Sequence, residues 1–322
     1  MLSRVAEALY WMARNIERSE NNARILSVQL IHMLESSDQQ VLDRDWEEVL
    51  DICASKEEYY GRYGRLNRDT IIQYLTVSPL NMNSISNCIT YARNGAKATR
   101  DMLPDDLWHV INGFYLEQKN KENTPIMPQH TQEYLKHVIH TSLAGQGIVE
   151  SMMTRGVPYT FIKVGKWLER AEKTARILNV ICEKSMREKG NSETESYYYW
   201  LTALQIVNGY DAYIKEYPPT MDPKNVLPFL IENGNFPRSI RYCMDHVLEA
   251  VHNLESGKVS HYSERLFQKL SAIQKELKNT DISGLGMDEL MVFLDRFQNH
   301  CHEISVLFSE TYYLVEPVHS VR

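Results

Sequence analysis

Residues 2–26 read LSRVAEALYWMARNIERSENNARIL, and residues 157–178 read VPYTFIKVGKWLERAEKTARIL. In the first stretch and just beyond it, Val5, Leu9, Met12, Ile16, Ala23, Leu26, Leu30 and Met33 form a seam spaced alternately by four and three, with Ser19 alone interrupting it. That is the period of an α-helix with one apolar face. A helix over residues 2–35 is about 50 Å long. An element of that length needs partners of similar length, which predicts a bundle.

The second stretch repeats the first. Its seam is Val157, Phe161, Val164, Leu168, Ala171, Ala175, Leu178 and Cys182, each 152 residues after its counterpart, with Ala171 matching Ser19. Pro158 suits the first turn of this helix. Glu17-Arg18, Glu20 and Ala23-Arg24-Ile25-Leu26 recur as Glu169-Arg170, Glu172 and Ala175-Arg176-Ile177-Leu178. Helical periodicity alone accounts for a shared apolar seam but not for shared charges. Downstream, Trp46, Leu50 and Tyr59 match Trp200, Leu204 and Tyr213 at an offset of 154, and Ser84-Ile85 and Cys88 match Ser239-Ile240 and Cys243 at 155. Creeping offsets are what loop insertions leave in a repeated unit. The expectation is therefore an elongated all-α bundle of two tandem, pseudo-twofold repeats, 1–156 and 157–322, sharing one core.

Between the two long helices and after them, further helices are expected near 45–62, 68–76, 83–102, 104–117, 130–155, 195–215, 224–232, 237–253, 260–277 and 286–315. Polar and breaker residues place connectors at 36–44, 117–131, 184–196, 216–225, 254–260 and 278–286. No run alternates apolar and polar residues in the manner of a strand. Fourteen glycines and eleven prolines in 322 residues leave room for long regular elements.

Composition excludes several functions. The net charge of -7 argues against nucleic-acid binding and for solubility. The five cysteines, Cys53, Cys88, Cys182, Cys243 and Cys301, are scattered and form no CxxC pair. A disulfide framework or zinc knuckle is not expected, and reduced thiols fit the cytoplasm. No leader pattern or membrane span is read, and no Walker loop, dinucleotide fingerprint or nucleophile elbow. The sequence implies no metal and no cofactor. Glu249-x-x-His252 is a single motif where a di-metal bundle needs two. His137 and His140 with Glu133 read as helix surface, and His300-Cys301-His302-Glu303 cannot face one ion.

The charged rows carry the chemistry. On a helix Ala13, Glu17, Glu20 and Arg24 share a line, as do Gly165, Glu169, Glu172 and Arg176. Glu20–Arg24 and Glu172–Arg176 are spaced for i,i+4 pairs. The small residue a turn earlier lets another chain approach, and Arg18 and Arg170 point to a neighbouring face. Two uses are open: a register-fixing ion network across a bundle interface, or a groove where the arginines fork onto a carboxylate or phosphate. Acid–base catalysis by the paired carboxylates is a third.

The chain resembles the Alpha-E family, bacterial helical proteins named for a Glu-Arg motif. The resemblance rests on Leu2-Ser3-Arg4-Val5-Ala6-Glu7-Ala8-Leu9-Tyr10-Trp11 leading into Ile16-Glu17-Arg18-Ser19-Glu20. It continues through Ala92-Arg93-Asn94, Arg100-Asp101, Leu103-Pro104, Trp108, Met153-Thr154-Arg155, Gly165-Lys166-Trp167-Leu168-Glu169-Arg170 and Phe236-Pro237-Arg238-Ser239-Ile240-Arg241. One departure is Arg93-Asn94-Gly95-Ala96-Lys97, where the family shows Arg-Glu-Asn-Ala-Arg. The resemblance implies a partner, a peptide ligase-like protein of the ATP-grasp class, within a system that makes or attaches small peptides. It implies no established activity. The expected role is a non-catalytic partner holding that ligase or an acidic peptide. Arg18, Arg24, Arg170, Arg176, Arg100, Arg238 and Arg241 are the candidate ligands, and Glu17, Glu20, Glu169 and Glu172 are the motif carboxylates. The competing expectations are an enzyme performing acyl transfer or amide cleavage on peptides, and a purely structural scaffold.

Overall fold

A computed structural model describes residues 3–33, 39–120, 126–187 and 193–313. Among these residues the chain is all-α. The helices are α1 (Ser3–His32), α2 (Gln39–Ile52), α3 (Lys56–Tyr63), α4 (Arg68–Thr76), α5 (Ile85–Ala98), α6 (Asp105–Asn120) and α7 (Pro128–Met152). They continue with α8 (Val157–Arg187), α9 (Glu193–Ile206), α10 (Tyr210–Glu216), α11 (Pro223–Ile231), α12 (Ile240–Leu254), α13 (Glu264–Asn279) and α14 (Met287–Tyr312). Short 3₁₀ turns follow α5 and α13, at Arg100–Met102 and Ile282–Gly284.

The two long helices are buried on nearly every face. Arg14, Asn15, Glu17, Glu20, Asn21 and Asn22 of α1 are as shielded as its leucines, and so are Glu169, Arg170, Lys173 and Thr174 of α8. A helix enclosed all round is a core helix. Contacts between the two advance together, from Gly165 against Tyr10 to Ile181 and Lys184 beside Ile25 and Val28, so they run parallel. A methyl at Gly165 would lie 2.4 Å from the Tyr10 carbonyl oxygen and 3.2 Å from the Ala13 Cβ. The small residue expected a turn before the Glu-Arg pair thus marks the close approach of α1. Helices α5 and α7 pack antiparallel on α1, through Gly95 against Ala8 and Met12 and Ser142 on Glu20. Helices α12 and α14 pack the same way on α8, through Trp167 against His246 and Phe161 against Phe308.

Local geometry agrees at matched positions. Ala54 and Asn208, 154 residues apart, have φ of 52° and 51°. Ser55 N–H then donates to Leu50 O, and Gly209 N–H to Leu204 O, closing the ends of α2 and α9 alike. Ser84 and Ser239 cap α5 and α12 by accepting from Asn87 N–H and Tyr242 N–H. Asn22 Nδ2 donates to Asn83 O, and Thr174 Oγ1 donates to Arg238 O.

These turns correct the helix boundaries. The single helices expected over 45–62 and 195–215 are each two, broken at Ala54 and Asn208, so the second long helix is the eighth rather than the seventh. The helix expected over 83–102 ends at Ala98, where Thr99 leaves the helical region and a 3₁₀ turn follows. The connector expected over 36–44 is shorter, because α2 starts at Gln39. The one expected over 184–196 is shorter too, because α8 runs on to Arg187. Parts of the connectors expected at 36–44, 117–131 and 184–196, and the ends of the helices expected over 2–35 and 286–315, lie outside the described residues.

Candidate functional site

The Glu-Arg pairs meet where α1 and α8 run side by side. Arg18 Nε and Nη2 donate to the two carboxylate oxygens of Glu169 at 2.7 and 3.0 Å. Arg170 Nε and Nη2 donate to those of Glu17, both at 2.8 Å. Each guanidinium thus forks onto the carboxylate that precedes the other in sequence, and the two contacts exchange partners. This is the geometry of a self-complementary interface, and bidentate pairing is its strongest form.

Around this crossing the charges are completed from other helices. Arg238, at the entry to α12, donates to Glu17, Glu20 and Asn21. Gln146 of α7 donates to Glu17 at 3.1 Å and to Glu20 at 2.9 Å, and Ser142 donates to Glu20 at 2.8 Å. Arg24 reaches Glu20 at 2.9 Å along α1, and Arg176 lies 3.6 Å from Glu172 along α8. Both expected i,i+4 pairs are present, the second more loosely.

Arg14, which the sequence reading did not single out, binds Glu169 at 2.6 Å and Glu172 at 2.7 Å. Its remaining amino group donates to Tyr10 Oη and Ser305 Oγ. The signal available in sequence is that Arg14 lies one turn before Arg18, on the face that turns to α8. Its match 152 residues on is Lys166.

Burial is deeper than a position beside an apolar seam implies. Side-chain exposure is 1% for Glu17, 0% for Glu20 and 4% for Glu169, against 27% for Glu172. Burial by itself raises the Glu17 carboxyl, but the charges of Arg170 and Arg238 outweigh it and hold the group at about 2. The same contest, with Arg18 and Arg14, leaves Glu169 well below the usual carboxylate range. Six guanidinium groups, Arg14, Arg18, Arg24, Arg170, Arg176 and Arg238, and two ammonium groups, Lys166 and Lys173, surround four carboxylates. Lys173 Nζ, buried, donates to Ile52 O at the C-terminal end of α2, and burial pushes its ammonium below the usual lysine range.

The remaining two candidate arginines stand apart. Arg100 is 54% exposed, lies over the Trp108 ring at 5.2 Å and is 3.9 Å from Asp105. Arg241 is 37% exposed, 3.8 Å from Asp245, and donates to Glu232 O. All five cysteines are free and buried. Among the described residues no three His, Cys, Asp or Glu side chains are placed to share a metal ion, and no helix is long and apolar enough to cross a membrane.

An all-helical chain whose two long central helices are clasped by exchanged Glu-Arg pairs defines a class. The family model described as a predicted alpha-helical domain with a conserved ER motif matches residues 1–313. The chain belongs to this family, Alpha-E. Uncharacterised proteins of Mycobacterium bovis and Mycobacterium tuberculosis are 27% identical over 184 residues, which is 52% of this chain and 21% of theirs. The chain thus matches about a fifth of the length of these relatives. No solved structure matches it.

Proposed function

We propose that the chain is a non-catalytic, cytoplasmic binding partner in a peptide-synthesis or peptide-tagging system, engaging an ATP-grasp peptide ligase-like protein or its acidic peptide. The observation that carries this is the surface placement of Arg100 and Arg241, whose side chains are 54% and 37% exposed while the motif arginines are engaged within the chain. Glu17, Glu20, Glu169 and Glu172 face Arg14, Arg18, Arg24, Arg170, Arg176 and Arg238 within the chain. A carboxylate kept ionised at about 2 is a poor proton donor at neutral pH, which weighs against acid–base catalysis. The motif arginines spend their forks internally, so the exposed Arg100 and Arg241 are the candidates to meet an acidic partner. The full-length protein, immobilised, should retain an ATP-grasp-class protein from its own cell extract, with calorimetry on the purified pair giving a measurable Kd. Turnover of peptides by the purified chain alone would overturn the reading. The same internal pairing favours a purely structural scaffold, which the absence of any binding would select.

We also infer that the chain is a tandem duplication, two seven-helix units related by a pseudo-twofold axis along α1 and α8. Support comes from the exchanged Arg18–Glu169 and Arg170–Glu17 contacts, the matched φ values at Ala54 and Asn208, and the matched serine caps. Residues 1–156 and 157–322, expressed as separate chains, should then assemble with each other. Two fragments that never associate would count against it.

A further inference from the structure

We propose that Arg93, Lys97 and Arg100 form a docking row for a short, extended acidic peptide segment, braced by the rings of Trp108 and Tyr115, an assignment that rests on the reading of the chain as the partner of an acidic protein or peptide. Helix α5 carries Arg93 and Lys97 one turn apart, and Arg100 follows in the 3₁₀ turn behind it. Positions four and seven apart share a helix face. Helix α6 supplies the rings. The Arg93 guanidinium lies over Tyr115 at 4.9 Å and over Trp108 at 5.6 Å, and that of Arg100 lies over Trp108 at 5.2 Å. One indole thus gathers both arginines, and their guanidinium carbons are no farther apart than the sum of its two distances. Arg93 Nε also donates to Asn112 Oδ1 at 3.1 Å, which fixes the group in place. A ring holds a cation without consuming a hydrogen-bond donor.

What the row lacks is negative charge. Among the described residues no carboxylate lies within ion-pair distance of Arg93 or Lys97, and Lys97 is exposed with no hydrogen bond to any of them. Arg100 has Asp105 at 3.9 Å, beyond hydrogen-bond reach, and that carboxylate is itself 79% exposed. Surface arginines elsewhere are matched: Arg62 with Glu58, Arg68 with Asp69 and Arg296 with Glu276. At the places 155 residues on, in and just after α12, stand Leu248, His252 and Glu255. The same helical pattern therefore forms with an apolar residue at the first place and an acid at the third, so the fold does not require three cations there.

Spacing selects the ligand. One helical turn advances about 6 Å, and side chains on the same side of an extended chain repeat every 7 Å or so, about the same step. Alternate carboxylates of an extended acidic segment thus fall on successive cations. Arg100 forks onto one of them, and Lys97 acts on its neighbour as a point charge. The braced Arg93 and Arg100 have little side-chain freedom left to lose on binding, which favours the complex. A long polyanion such as nucleic acid fits less well, because it runs on past three cations over a chain whose net charge is -7.

The test titrates the full-length protein by calorimetry with a synthetic hexapeptide of alternating glutamate and serine, and with its counterpart carrying glutamine for glutamate. The acidic peptide should bind and the neutral one should not, and binding should weaken severalfold between about 0.05 M and about 0.5 M salt. Arg93→Gln and Arg100→Gln should each lower the affinity by about tenfold, the scale of a lost charge-assisted hydrogen bond. Lys97→Glu, at an exposed position without partners, should abolish binding with unchanged circular dichroism, whereas Lys275→Gln on the surface of α13 should leave it unchanged. On the wild type, carbodiimide coupling should join the acidic peptide to Lys97, located by peptide mass spectrometry, so the site is mapped even where a variant folds poorly. Coupling confined to other lysines, no preference for the acidic peptide, or tighter binding of a single-stranded oligonucleotide of equal charge would overturn the proposal. A protein that retains an ATP-grasp-class partner equally well as wild type and as Lys97→Glu keeps its proposed role and loses the docking row. One that takes the peptide at Lys97 yet retains no such partner keeps the row and loses the role.

Discussion

Arg170 and Glu17, 153 residues apart in sequence, face each other through two parallel hydrogen bonds of 2.8 Å in the middle of the protein. Removing one charge from such a pair strands the other, at about 3–5 kcal/mol for a buried partner. Glu17→Gln keeps the shape and leaves Arg170 and Arg238 facing a neutral amide. It should lower the unfolding free energy by that order, read as a lower urea midpoint at unchanged m-value. A loss under 1 kcal/mol would mean the pair is dispensable.

Glu169 and Arg18 should not be equally sensitive. Glu169 serves both Arg14 and Arg18, whereas loss of Arg18 leaves Glu169 still bound by Arg14. Glu169→Gln is therefore expected to destabilise more than Arg18→Gln in the same denaturation assay. The reverse ranking would show that Arg14 contributes little.

Acid should unfold the protein through the same carboxylates. Glu17 has a folded-state value of about 2 against 4.5 when free. Its contribution is fully present above 4.5 and is lost as pH falls from there toward 2. Melting temperature measured from pH 7 to pH 2 should drop across this window, and Glu17→Gln should flatten part of the drop.

Gly165→Ala should be costly although alanine favours helix. Its methyl would sit 2.4 Å from the Tyr10 carbonyl, so α1 and α8 must separate. Overpacking of this kind costs about 1–3 kcal/mol. Gly147→Ala, with nothing within 4 Å, is the control and should be neutral or stabilising.

The two serine caps predict matched effects. Ser84→Ala and Ser239→Ala each remove one acceptor at a helix start, worth about 1 kcal/mol. Similar shifts in Tm for the two are expected, and a null effect at one site alone would mark a difference between the halves.

Much of the fold was legible because it lies in local periodicity. The seams from Val5 to Leu30 and from Val157 to Cys182 define α1 and α8 nearly to their ends. The breaks at Ala54 and Asn208 were not legible at Ala54, which is neither glycine nor proline and is held at positive φ by the turn closing on Leu50. Asn208-Gly209 does carry a turn signal. The i,i+4 pairs Glu20–Arg24 and Glu172–Arg176 follow from helix geometry alone. The exchange between Arg18 and Glu169 does not, since it depends on the rotation of two helices about their axes once packed. For the same reason Arg14 was missed, along with Gln146 and Ser142 of α7. Their place is set by which face of each helix turns inward.

The exchange of partners between the two Glu-Arg pairs also orders events during synthesis. A ribosome that has delivered only the first 156 residues has made Glu17 and Arg18 but neither Arg170 nor Glu169. Within the first half Glu17 meets the Gln146 amide and Arg18 meets Asn83, and neither gains the opposite charge it forks with until the later half emerges. Completion of the core is thereby tied to arrival of the second long helix, and a prematurely terminated chain would display its unmatched charges to the cell's quality control.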